Sequence, residues 1–130
     1  MADQQVFYAA WAELLEWLRE YATDSEGALK FVTQADFPDY IYRMERDYDL
    51  PVTIMAASLS TPADEMVLYV TASPRHALFK EVVVHPFGSH VYRSLTIGGD
   101  GKSFSEGPRV FTKDMLFALV DSLEAVRKTA

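Results

Sequence analysis

PVTIMAASLSTPADEMVLYVTASPRHALFKEVVVHPFGSHVYRSLTI, residues 51–97, is the stretch that decides the fold. It contains four runs of alternating side chains separated by turn chemistry. In 51–60, Val52, Ile54 and Ala56 point one way and Thr53, Met55 and Leu59 the other, as a pleated strand requires. Pro51 suits a strand start, where no ladder hydrogen bond has to be donated. In 65–72, Met66, Leu68 and Val70 oppose Val67, Tyr69 and Thr71; residues 77–84 follow as a β-branched run. In 91–97, Val91, Arg93, Leu95 and Ile97 oppose Tyr92, Ser94 and Thr96. Pro62, Pro74 and the Pro86/Gly88 loop supply the reversals. Links this short leave no room for crossover helices, so the strands form an antiparallel meander.

Outward from this sheet, residues 6–22 are expected to be helical. Phe7, Trp11, Leu14, Leu18 and Tyr21 recur at helical spacing, with Glu13, Glu16 and Glu20 opposite. Val6, Ala10 and Trp17 widen the apolar arc on one flank and Tyr8 and Leu15 on the other, to roughly twice the ~100° stripe of a surface helix. One sheet face does not cover such an arc. Trp11, Leu15 and Trp17 are therefore the expected protein-interaction residues, and a homodimer is the expected assembly. Gly27 is placed to end the helix in the left-handed conformation. Residues 29–33 read as a short edge strand, and 36–48 as a helix capped by Asp36 with Phe37, Ile41, Met44 and Tyr48 on one face. A ribbon with Tyr40, Tyr42, Met44 and Tyr48 on one side is the competing reading. Residues 98–108 read as a flexible loop and 109–111 as a brief extended piece. Thr112 caps a last helix with a stripe of Leu116, Leu119, Val120 and Leu123, widened by Met115, Phe117 and Val126. The expected architecture is a two-layer α+β sandwich, an antiparallel meander of four to five strands against N- and C-terminal helices, with residues 1–130 as a single domain.

Composition narrows the function classes. A hydrophobic fraction of 49% and 13% aromatics belong to a packed globule. No cysteine is present, which removes disulfides and thiolate metal sites. The chain shows neither a secretory leader nor the run of about 20 apolar residues that spans a bilayer, so a cytoplasmic protein without a membrane partner is expected. The net charge of −7 argues against nucleic acid. All of that imbalance lies in residues 1–50, which hold 11 acidic and 4 basic side chains, whereas residues 51–130 hold 8 of each.

Motifs for catalysis are missing. His85 and His90 flank the hairpin loop and are the candidate ligand or metal residues, but no cysteine or HExxH completes a site. The glycines at 98–101 match neither phosphate-loop pattern, and no serine sits in a GxSxG elbow. No cofactor is expected. In length, acidity and helix-sheet-helix order the chain resembles the type III secretion chaperones, an architectural analogy. The sequence reading is thus a non-enzymatic, chaperone- or adaptor-like protein-binding module, homodimeric and open to another protein. The alternative is a small-molecule-binding domain or small enzyme with its site between the sheet and the 98–108 loop.

Overall fold

A computed structural model of the chain describes residues 2–33, 55–72, 81–86, 93–98 and 103–129. Helix α1 (Ala2–Asp24) leads into β1 (Lys30–Thr33), β2 (Met55–Ser60), β3 (Met66–Ala72), β4 (Glu81–Pro86), β5 (Arg93–Ile97), β6 (Phe104–Glu106) and β7 (Arg109–Phe111). Helix α2 (Lys113–Thr129) closes the order. The strands form one sheet in sequence order, every neighbouring pair antiparallel. The α+β meander between terminal helices is therefore as the alternation implies. The expected helix at 36–48, His90 and residues 99–102 lie outside the described residues.

Register carries the strand phases across the sheet. Leu59 pairs with Leu68, Ala57 with Val70, Val82 with Leu95, and Ile97 with Phe104, which in turn pairs with Phe111. All of these are buried on the face under the helices. The opposite face is buried at Ala56, Ser58 and Val67 but opens at Ser94, Thr96 and Val110. Ser58 and Ser60, both buried, satisfy each other's hydroxyls at 3.1 Å.

The sheet has seven strands among the described residues rather than four or five, and the addition is β6 with β7. Gly107 takes φ of 60° and Pro108 follows, so the chain reverses in two residues and Glu106 pairs with Arg109. Positive φ at the first central residue suits a tight hairpin. Burial of Phe104 (1% exposed) and Phe111 (1%) anchors both short strands. Residues 104–106 of the expected loop are thus strand, and 107–108 are the turn that follows.

The width of the α1 arc is also explained within the chain. Phe7, Ala10, Trp11, Leu14 and Leu18 are buried, with α1 over β1 and β2. On the flank, Trp17 meets Phe104 of β6 edge-on (centroids 5.4 Å, 68°) and Tyr21 meets Phe117 of α2 (5.1 Å, 85°). The side chains in excess of one sheet face are thus received by a second helix and an added hairpin. Helix α1 ends through Glu26 (φ 55°) and Gly27 (φ 90°), and Ser25 Oγ donates to Ala22 O (2.7 Å) while accepting from Leu29 N (3.0 Å). At α2, Thr112 Oγ1 accepts from Met115 N at 3.2 Å, the cap expected of it.

Candidate interaction surface at the helix seam

The C-terminal part of α1 lies beside α2, and polar side chains bridge the two. Lys113 Nζ contacts both carboxylate oxygens of Glu20 at 3.2–3.3 Å. The Tyr21 hydroxyl donates to Asp121 Oδ1. Burial first, and then this bond to a carboxylate, push the Tyr21 phenol well above its ordinary pKa of 10, so it stays a donor. Next to this pair runs a groove of about 400 Å³, lined among others by Tyr21, Ser25, Leu29, Asp121, Glu124 and Lys128. A second recess of about 230 Å³ adjoins it between Tyr21, Asp24 and Phe117.

Glu124 is the unusual member. It continues the inward row of Leu116 and Val120, each one turn apart on the same helix face, and is only 7% exposed. Its Oε2 accepts from Arg127 Nη2 at 2.6 Å. Its Oε1 is buried and has no hydrogen-bond partner among the described residues. A carboxylate oxygen left so is costly, and the side chain that carries it is one of those lining the groove. The sequence reading passed over this residue. The available signal was the i, i+4, i+8 row of Leu116, Val120 and Glu124, in which a carboxylate takes a core position.

The residues singled out from sequence lie elsewhere. Trp11 is 5% exposed and Trp17 8%, both within the core; Leu15 is partly buried against it. Trp17 Nε1 donates to Glu13 Oε1 at 3.1 Å, so its polar end is satisfied inside the chain. His85 lies on the sheet face away from the helices, with Nε2 3.3 Å from Thr71 Oγ1 and its ring 5.5 Å from that of Tyr69. Among the described residues no three His, Asp or Glu side chains gather to hold a metal ion.

Burial lowers the His85 pKa below 6.5. The unfolded chain, titrating near the ordinary value, then takes up the proton first as pH falls, so stability is full above about pH 6.5 and declines below it. His85→Gln is expected to flatten the melting temperature between about pH 7 and 5. A slope identical to wild type in thermal scans would refute this.

Comparison with known proteins decides the family. Residues 2–127 match the model of the family described as NADH-quinone oxidoreductase chain 15. The chain belongs to this family. NADH-quinone oxidoreductase subunit 15 of Thermus thermophilus is 44% identical over 120 residues, spanning 92% of this chain and 91% of that protein. Membership in the chain 15 family corrects the functional expectation. A free, homodimeric chaperone- or adaptor-like module is not what this family is. The expected partners, a second copy or an unspecified protein with no membrane, are replaced as well. The resemblance to secretion chaperones reflected only length, charge and element order, which many unrelated proteins share.

Proposed function

We propose that the chain is a peripheral accessory subunit of an NADH-quinone oxidoreductase, seated on the cytoplasm-facing part of the complex. The observation that carries this reading is the family match across nearly the whole chain, with a relative alike along almost all of both sequences. Quinones are apolar carriers that reside in lipid, so the complex works at a membrane, and the subunit joins it through protein contacts. The outer side of α1 supports a water-facing location, since Glu16, Arg19 and Glu20 are all exposed there. Among the described residues no helix is long and apolar enough to cross a membrane. The accessory role is supported by the sequence, which offers no cysteine thiolate to ligate an iron–sulfur cluster.

The test is purification of the full chain, tagged at its C-terminus, from membranes of its native host in mild detergent. The expected result is co-migration with a large particle that oxidises NADH and reduces quinone. Elution at the mass of the chain alone, with the activity peak free of tag, would overturn the reading.

A further inference from the structure

We infer that the groove at the α1–α2 seam is a socket for a basic side chain, lysine or arginine, contributed by a neighbouring subunit of the complex. This inference rests on the subunit reading above. Its support is a surplus of acceptors whose own donors are already committed. The Tyr21 hydroxyl is spent on Asp121, the Ser25 hydroxyl on Ala22 O, and Arg127 on Glu124 Oε2. What is left is Glu124 Oε1, on a side chain about nine-tenths buried, without a donor among the described residues. Asp121 stands one helical turn before it on the same wall, and Asp24 lies in the adjoining recess. Lys128, exposed at the rim, is the cation among the lining residues.

The walls specify the class of occupant. Ala28, Leu29 and Ala125 give the groove aliphatic sides. A long basic side chain fits such a site, because its methylene stem lies along apolar surface while its charged head reaches the carboxylates. A small inorganic cation would gain nothing from those walls, and no metal-holding cluster is found among the described residues. Supplying the missing donor to a buried carboxylate removes an existing penalty, so the contact strengthens attachment beyond what an exposed ion pair gives.

The test uses the complex prepared from cells lacking this chain, titrated with fluorescently labelled full-length protein at low and high salt. Wild type is expected to bind, more weakly as salt rises. Glu124→Gln keeps the shape and removes the charge; it is expected to weaken binding about tenfold or more, to reduce the salt dependence, and to leave the melting temperature at or above wild type. Ala28→Arg places an internal cation against the same carboxylates and is expected to abolish binding while raising the melting temperature. Wild-type affinity and salt dependence in Glu124→Gln, while the wild-type chain itself binds, would overturn the socket and leave the subunit reading standing. So would loss of binding in Ala28→Arg alone, which would mean occlusion without charge recognition. Failure of the wild-type chain to bind would overturn the subunit reading and the socket with it.

Discussion

Trp17→Glu is expected to abolish the cooperative fold. Trp17 is 8% exposed and packs edge-on against Phe104. Removing a buried indole costs about 3–5 kcal/mol through lost burial and the remaining cavity. The new carboxylate would be shielded from water next to Glu13, now the acceptor of the indole N–H, so like charges would face each other at i, i+4. An unpaired buried charge adds several kcal/mol. Together these approach the whole stability of an ordinary domain, about 5–15 kcal/mol. Near-ultraviolet circular dichroism and thermal melting read the outcome: no fixed aromatic signal and no sharp transition. Trp17→Phe, which keeps an apolar ring, is expected to fold with reduced stability. A Trp17→Glu protein that melts cooperatively would show that Trp17 serves a surface rather than the core.

Phe104→Ala is expected to cost about 3–5 kcal/mol, lowering the melting temperature by roughly 10–20 °C. Phe104 is 1% exposed, faces Ile97 and Phe111 across the sheet and receives Trp17 from α1. It is therefore the point where the last hairpin is fastened to the first helix. The pair also predicts non-additivity. In a cycle of Trp17→Ala and Phe104→Ala, the coupling is expected at about 0.5–1.5 kcal/mol, the usual worth of an aromatic pair beyond its area. A loss below about 1 kcal/mol in chemical denaturation of Phe104→Ala would mean that β6 is held by its neighbours alone.

Local periodicity made much of the fold legible. Strands β2, β3 and β5 follow from alternation and β4 from its β-branched run, although β4 continues through His85 and Pro86, which read as loop; the sides assigned to Leu68, Val70, Leu95 and Ile97 are the buried sides of the sheet. The same holds for Phe7, Trp11, Leu14 and Leu18 on α1, and for Leu116 and Val120 on α2. Three-residue strands carry too few positions to show a period, so β6 was hidden in a run rich in glycine. A single aromatic, Phe104, was the trace it left. The candidate site was harder to read. Glu124 looks like any surface glutamate until the register of α2 is known, and the acceptor groove exists only where the end of α1 meets the C-terminal half of α2. The interaction surface inferred from the wide α1 arc went to the wrong cause. An apolar excess announces that a neighbour exists without saying whether it belongs to the same chain.

What the sequence by itself determined are the features written within a few residues of each other: strand phase, helix face, the turn at Gly27 and the cap at Thr112. It also confined the acidic surplus to residues 1–50. Only the tertiary structure decided that Phe104 and Phe117 would receive Trp17 and Tyr21, and that Glu124 would be buried with one oxygen unpaired. The physical reason is the range of the interactions. Backbone sterics and side-chain periods act over one turn or one pleat, whereas the aromatic contacts join the first helix to the last quarter of the chain, where packing alone chooses the partner.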